Sequence, residues 1–246
     1  VHISNRDKYL LKFIDFIKSC GIKTLTRQNE VICSAGKKEF SFSIANEENE
    51  GIPLDLIVTR PQKLAAIIRS KLKLNTTVFA RNCEVRKTDK STAVKFLDQY
   101  HLMNSTQSAY NFGLVYKNEL LALASFSKGR KMNRLPSDKR SFELIRFCCK
   151  EGITVTGGLT KLVKNFCKEK NAGDIMTYID KQFSSGESFV KAGFVKHSES
   201  EPNYFLVNKK TFERKYLKDK TENFDRSLFY LTQNSGNIKL VYRPGE

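Results

Sequence analysis

The apolar positions of this chain change period along its length, and each change marks an element. Leu10, Leu11, Phe13, Ile14, Phe16 and Ile17 recur at helical spacing up to Gly21. Val31–Ile32 and Phe40–Ile44 flank a small turn at Ser34–Gly36 and predict a hairpin, followed by an acidic loop at Glu47, Glu48 and Glu50. Leu54–Val58 is a short apolar run of strand length, and Pro61–Leu74 returns to helical spacing through Leu64, Ile67, Ile68 and Leu72. Phe79–Arg86 reads as a strand. Thr92–Tyr100 reads as a helix with Ser91 as N-cap. Tyr110–Tyr116 and Leu120–Phe126 are strands joined by Lys117-Asn118-Glu119.

The central pattern lies between Phe142 and Phe194. Leu144, Ile145, Phe147 and Cys148 make a strand-length apolar run. Thr156-Gly157-Gly158 follows, and glycine permits a tight turn or a close approach of backbone to a ligand. Leu159, Leu162, Val163 and Phe166 then fall on one helical face, with Lys161, Lys164 and Lys168 on the other. Ile175, Met176, Tyr178 and Ile179 form a second apolar strand ending at Asp180. Phe189 and Ala192 lie on a short helix stopped by Gly193. Strand, crossover helix and strand of this length predict parallel neighbours in a right-handed unit. Val195–Lys196 and Tyr204–Val207 read as two further antiparallel strands, and Ile238–Tyr242 as the last. The pattern changes near Leu74–Asn75 and again near Tyr216. The expected division is a small α/β domain at 1–74, one mixed sheet at 75–215, and an extension at 216–246.

Charge narrows the partners. The net charge is +17 over 246 residues, and the excess lies mainly in the middle block. A basic surface of this size points to a polyanion, nucleic acid first, although lysine also serves wherever a solvated residue is needed. The loop SKGRKMNRLPSDKR carries Lys128, Arg130, Lys131, Arg134, Lys139 and Arg140 against one Asp138, so it reads as either a phosphate-contacting arm or a solvated connection. The six cysteines form no C-x-x-C pair and the three histidines are scattered, which argues against a zinc site and for free thiols in a reducing cytoplasm. His101 ends its helix and reads as structural. No apolar run approaches the roughly 18 residues of a membrane span, so no membrane partner is expected.

Candidate chemistry gathers around the glycines. Gly157-Gly158 opens a helix whose free amides and dipole suit an anion, although the pair also permits close helix–strand packing. Asp180 ends a central strand, where it serves as a general base or caps the next turn. Tyr178 lies two residues earlier on the same face and serves a site or the core.

The order strand, helix, hairpin, strand, glycine loop, helix, strand, helix, strand resembles the GNAT acetyltransferase fold. The ending SFVKAGFVKH is similar to that fold's usual LYEKLGF ending. The resemblance implies a mixed α/β fold and acetyl-coenzyme A or another acyl-coenzyme A as cofactor. Its cofactor contacts would be Thr156, Gly157, Gly158, Thr160 and Lys161, with Asp180 or Tyr178 handling the proton. Against the family's Arg/Gln-x-x-Gly-x-Gly/Ala loop, Thr154 stands at the Arg/Gln place and Leu159 at the second glycine. Phe189 stands where a tyrosine general acid often does. The stretches VFARNCEVR, FGLVYKNELLALASFSKGR, FELIRFCCKEGITVTGGLTKLVKNF, TYIDKQFSSG, EPNYF and GNIKLVYR are similar to the C-terminal half of phage homing endonucleases that carry a Vsr-like nuclease in front. LLKFIDFIKSCGIKTL then resembles the leading helix of that nuclease, in shortened form. Ser41 and Ser43 stand where a metal-binding carboxylate would help, and Asp55 stands alone, so no metal and no nuclease activity are expected. The implied functions are acyl transfer on or next to nucleic acid, a non-catalytic DNA-binding module, or a structural role in a larger assembly.

Overall fold

The computed structural model describes residues 5–27, 30–45, 51–218 and 222–245, so the acidic loop at Glu47, Glu48 and Glu50 lies outside the described residues. The chain divides into two units. Unit 1 comprises Val1–Leu74, Asp180–Phe183 and Glu201–Asn237; unit 2 comprises Asn75–Ile179, Ser184–Ser200 and Ile238–Glu246. Thus 180–183 and 201–215, expected within the middle domain, belong to unit 1, and the expected extension is shared between the units.

Unit 1 begins with α1 (Asn5–Ser19), whose Phe13, Ile14 and Ile17 are buried. Strands β1 (Lys23–Arg27), β2 (Glu30–Ala35) and β3 (Lys38–Ser43) form an antiparallel sheet in that order. The hairpin is therefore extended by a strand that the sequence pattern does not single out. The run expected as a strand at Leu54–Val58 is instead the helix α2 (Leu54–Thr59). The amides of Leu56 and Ile57 reach the Pro53 carbonyl at 3.1 and 3.2 Å, and the Thr59 hydroxyl back-bonds to the Asp55 carbonyl. Five residues, four apolar and one aspartate, carry no readable period, so the run fits either element. Helix α3 (Pro61–Lys71) follows directly, because Arg60 precedes a proline and leaves the helical region.

Unit 2 opens with β4 (Thr76–Phe79), a 3₁₀ turn at Ala80–Asn82 and β5 (Glu84–Lys87), which replace the single strand expected at Phe79–Arg86. Helix α4 (Lys90–Tyr100) is capped by Asp89, whose Oδ1 accepts from the Thr92 amide at 2.9 Å; Ser91, the expected cap, lies one residue inside the helix. Strands β6 (Tyr110–Tyr116) and β7 (Glu119–Phe126) join through Lys117 and Asn118, both at positive φ, as a two-residue turn between twisted strands requires. Strand β8 (Arg140–Cys149), strand β9 (Ile153–Thr156), helix α5 (Gly158–Lys170) and strand β10 (Ala172–Asp180) make the central crossover. Strand β9 was not anticipated; it pairs in parallel with β4 from Thr76–Ile153 to Phe79–Thr156. Helix α6 (Glu187–Lys191) and strand β11 (Val195–Glu199) follow.

The chain then passes through unit 1 again. Strands β12 (Tyr204–Asn208), β13 (Arg214–Leu217) and β14 (Phe229–Gln233) form an antiparallel sheet with β12 in the middle. Strand β15 (Asn237–Tyr242) completes a seven-stranded mixed sheet of order β11-β15-β10-β8-β7-β6-β5. Strands β8 and β10 are parallel neighbours, as the crossover pattern predicts. The single sheet expected over 75–215 is corrected: β12 lies in a separate sheet from β11, and β4 and β9 form their own two-stranded ladder. The chain is thus a mixed α/β protein with a large mixed sheet.

The core of unit 2 explains this order. Leu159, Leu162, Val163 and Phe166 are all buried against the sheet, as their spacing requires. Phe166 stacks on Phe126 with centroids 3.8 Å apart and meets Phe142 edge-on at 5.0 Å and Phe112 at 5.8 Å. On the opposite face, α4 buries Ala93, Phe96 and Leu97 against Leu123. Strand β7 is therefore covered on both sides, which is why its sequence runs apolar without alternation. Among the described residues, no helix is long and apolar enough to cross a membrane.

Phe166→Ala is expected to cost unit 2 about 3–5 kcal/mol, because Phe112, Phe126, Phe142 and Tyr110 would line the resulting void. Denaturant unfolding followed by a unit 2 probe measures it. A loss of roughly 1 kcal/mol or less would mean that the ring is not the packing centre described here.

Candidate functional site

In unit 2 the pairing of β8 with β10 is limited. Their ladder joins Arg140–Glu143 to Ala172–Met176, with a register shift at Gly173. Both strands then continue, β8 to Cys149 and β10 to Asp180, without a further pair in that ladder. At the end of the ladder the Thr177 hydroxyl donates to the Leu144 carbonyl at 2.9 Å. The next carbonyl, of Ile145, accepts from the guanidinium of Arg146 at 2.9 Å. Side chains thus satisfy backbone groups where the ladder has stopped.

The crossover between these strands carries the glycines. Gly157 has φ +77° and is the N-cap of α5, so it needs the left-handed freedom of glycine. Gly158 has ordinary φ but no room: a Cβ there would meet Leu114 Cδ1 at 3.1 Å and Val155 at 3.2 Å. Gly158 therefore serves close packing in its own right. The Lys161 amide donates to the Gly157 carbonyl at 3.0 Å, so the amides before it precede the helical ladder. Thr156 is exposed and Thr160 half-buried at this end. Lys161, expected on the solvated face and within reach of an anion, is half-buried. Its ammonium donates to the Ala80 carbonyl at 2.9 Å and the Cys83 carbonyl at 2.6 Å. These carbonyls lie around the 3₁₀ turn before β5.

Tyr178 and Asp180 fall in different units. In unit 2, Tyr178 is 49% exposed, with Lys239 Nζ 6.0 Å from its ring centroid. In unit 1, Asp180 Oδ1 accepts from the Gln182 amide at 2.9 Å and Oδ2 from Asn234 Nδ2 at 3.1 Å. Of the two roles open to Asp180 from sequence, turn capping is the one its hydrogen bonds describe. Burial raises its carboxyl above the ordinary value, while the Gln182 and Asn234 hydrogen bonds and the Arg214 charge act the other way. Phe189 is packed edge-on against Phe194 at 5.6 Å. His101 Nδ1 accepts from the Met103 amide at 3.1 Å, which gives this histidine a part in the turn after α4.

The basic loop between β7 and β8 is anchored rather than loose. Arg130 exchanges backbone hydrogen bonds with Ser141, and Leu135 packs so closely over Gly173 that a Cβ there would meet it at 2.8 Å. Arg134 pairs with the buried carboxylate of Asp174, and Arg140 donates to the Ser137 and Lys139 carbonyls at 2.6 and 2.8 Å. Lys128, Arg130 and Lys131 are exposed, and Lys139 is half-buried.

Unit 1 holds an ion pair that sequence reading missed. Asp55 is buried and accepts from Arg214 Nε at 2.6 Å and Nη2 at 2.8 Å. Burial, with the Arg214 charge beside it, lowers Arg60 from its ordinary range, and Asp55 partly restores it. The two partners are 159 positions apart, so no local spacing announces them. Asp55 is thereby a structural carboxylate. Among the described residues, no group of three or more His, Cys, Asp or Glu is placed to hold a metal.

No family model matches the chain, and no curated protein matches it. Among solved structures it is similar to a GNAT family acetyltransferase from Elizabethkingia anophelis with acetyl-CoA bound, at 14% identity and TM-score 0.39, over 66% of this chain and 98% of that one. It is also similar to the ribosomal-protein-S5-alanine acetyltransferase from Vibrio fischeri, at 13% identity and TM-score 0.41, over 67% and 94%. The ribosomal-protein-S18-alanine N-acetyltransferase from Escherichia coli matches at 9% identity and TM-score 0.41, over 65% and 93%.

The Asp180 shift sets a pH dependence. A carboxyl raised in the fold favours the protonated native state, so its contribution is complete below the unfolded value and is lost as pH rises through the folded one. Asp180→Asn removes this titration. The difference in unfolding free energy, variant minus parent, is expected to move in the variant's favour as pH rises from about 3 to about 7. A difference that moves the other way would mean that the hydrogen bonds outweigh burial at this carboxyl.

Proposed function

We propose that the chain is a GNAT-type acyltransferase that draws its acyl group from an acyl-coenzyme A and acts on or next to nucleic acid, in a phage or mobile-element setting. The observation that carries this reading is the β8–β10 ladder, which ends at Glu143 and Met176 while both strands run on. An unpaired strand edge offers amide and carbonyl groups to an amide-bearing chain such as pantetheine, by the same hydrogen bonding that adds a strand to a sheet. The amides at the start of α5, from Gly158 to Thr160, suit a pyrophosphate, and the Thr156 and Thr160 hydroxyls stand at the same end. The coenzyme, when bound, supplies the activated thioester.

The chain's own residues then have limited roles. Lys161 supports the turn at Ala80–Asn82 through the Ala80 and Cys83 carbonyls, so its contribution to an anion is indirect. Tyr178 is the exposed phenol of β10 and the group in unit 2 best suited to hold a proton near an acceptor. Lys128, Arg130 and Lys131 would bind phosphates of the acceptor, with Arg134 and Arg140 fixing the loop that presents them.

A second reading is a non-catalytic nucleic-acid-binding module related to the C-terminal part of homing endonucleases. One specific observation favours it: three positions that acyl transfer would use have structural occupations. Lys161 is bonded to carbonyls, Phe189 is packed on Phe194, and Asp180 caps a turn. On this reading the same basic loop is the functional surface.

Two measurements separate the readings. Acetyl-coenzyme A at a hundredfold excess over its Kd should stabilise the native state by about 2.7 kcal/mol and raise the melting temperature by several degrees. Tyr178→Phe should keep that shift and lower turnover on a nucleic-acid acceptor by about a hundredfold. No shift at millimolar coenzyme removes the transferase reading. Separately, Lys128→Ala, Arg130→Ala and Lys131→Ala together should flatten the logarithmic salt dependence of DNA binding by about two to three. An unchanged slope places the phosphate contacts elsewhere.

A further inference from the structure

Around β8 and β10 one face of the unit 2 sheet is packed and the other is open. Phe142, Leu144, Ile175 and Ile179 are buried in the core that α5 closes. Alternation along each strand sends Ser141, Glu143, Asp174, Met176 and Tyr178 to the opposite face. The ladder sets them in rows: Ser141 beside Asp174, then Glu143 beside Met176, with Tyr178 two residues further along β10. The β7–β8 loop adds a neighbour, because Arg130 pairs with Ser141 in an antiparallel bridge and so shares its face. Gly129 turns the other way, since a Cβ there would meet the Phe142 ring at 2.8 Å. Successive rows are about 6.6 Å apart, so a ligand that touches both Arg130 and Tyr178 must pass over Glu143.

The charged groups of this face differ in what already holds them. Arg134 is paired with the buried carboxylate of Asp174, which removes both from the account. Arg130 is exposed, and its bonds are those of its backbone with Ser141. Glu143 is half-buried, with its backbone fixed by Ser127: the Ser127 Oγ accepts from its amide at 2.9 Å, and the Ser127 amide donates to its carbonyl at 2.9 Å. Among the described residues, the Glu143 carboxylate has neither an ion pair nor a hydrogen-bond donor. A half-buried carboxylate without a donor gains from a ligand that supplies one. Tyr178 is 49% exposed, with Lys239 Nζ 6.0 Å from its ring centroid, at the outer limit of a cation–π contact.

This order of groups selects a ligand class. The cation at one end takes a phosphate, the carboxylate in the middle takes hydrogen-bond donors alone, and the ring at the far end takes a flat partner. An inorganic polyanion would satisfy Arg130 and be repelled by Glu143. A simple amine would satisfy Glu143 and be repelled by Arg130. A nucleotide whose base carries an amino group satisfies all three, and a carboxylate is a suitable acceptor for the N4 amino group of cytosine. Uracil presents an oxygen at that place and sets acceptor against acceptor. A sheet face with an exposed ring takes bases that are unpaired, as a stacking surface for a single strand does.

We infer that the face of β8 and β10 turned away from α5 holds one unpaired nucleotide of a single strand, its phosphate at Arg130, its base on Tyr178 and its amino group donating to Glu143. Glu143 is then the residue that selects the base. The site rests on the nucleic-acid part of the function proposed above and needs no acyl transfer.

The test uses the full chain with short fluorescent single strands of deoxycytidine and of deoxyuridine, and a duplex of mixed sequence. The parent should bind the deoxycytidine strand about tenfold more tightly than the deoxyuridine strand, the worth of one matched base contact. Glu143→Gln should bring that ratio close to one by weakening the deoxycytidine strand, whereas mere loss of a negative charge would tighten both strands alike. Should Glu143→Gln fail to fold, Glu143→Asp keeps the charge, shortens the reach and carries the same expectation of a reduced ratio. Tyr178→Ala should weaken both strands about tenfold and keep the ratio. The inference fails if the parent binds the two strands alike, if it prefers the duplex to both, or if a folded Glu143 variant keeps the parent's ratio. If the combined change of Lys128, Arg130 and Lys131 alters the binding of no strand, the nucleic-acid reading of the basic loop fails and takes the site with it. If that change acts and the deoxycytidine preference is absent, the site alone is wrong.

Discussion

The packing of Phe166 between β7 and β8 is the interaction on which unit 2 depends. Stacked on Phe126 and edge-on to Phe142, this ring binds α5 to two neighbouring strands at once. A helix held there must leave β8 and return in β10, and the crossover makes those strands parallel. Their ladder is short. Gly173 admits Leu135 at the start of β10, and Thr177 hydrogen-bonds the Leu144 carbonyl where the ladder stops. Beyond Glu143 and Met176 the two strands no longer pair with each other, and β8 stays paired with β7 from Leu144 to Cys149.

Each glycine at the head of α5 is fixed by a requirement of its own. Gly157 is required by its φ, and Gly158 by Leu114 and Val155. Neither requirement involves a ligand, yet together they leave backbone amides at the end of a helix. Strand β9 adds a restriction that a free phosphate-binding loop lacks, because Ile153–Thr156 is paired with β4 right up to the glycines.

Much of unit 2 was legible because its signals are local. The period of Leu159, Leu162, Val163 and Phe166, the Lys117–Asn118 turn and the strand–helix–strand spacing each follow from neighbouring residues. What escaped was set at long range or carried no period. Leu54–Val58 is too short to distinguish helix from strand, and β9 is a strand only because β4 lies beside it. Lys161 sits at a position that helical spacing assigns to solvent, but the Ala80 and Cys83 carbonyls, about eighty residues away, claim its ammonium.

The acidic residues clarify the distribution of positive charge. In a chain of net charge +17, a carboxylate is favoured wherever basic groups surround it. Two aspartates, Asp55 and Asp174, are buried and a third, Asp180, is half-buried. Asp55 fixes Arg214 in unit 1, Asp180 holds Gln182 and Asn234 there, and Asp174 holds Arg134 in unit 2. Each joins segments that are distant in sequence or turns the chain at a strand end. A buried carboxylate that loses its partner leaves a charge that water cannot reach, so these contacts resist change more than surface pairs do. Arg134 therefore fixes the loop, while Lys128, Arg130 and Lys131 stay exposed on it. The division of labour within one basic stretch follows from which of its members finds a buried acid.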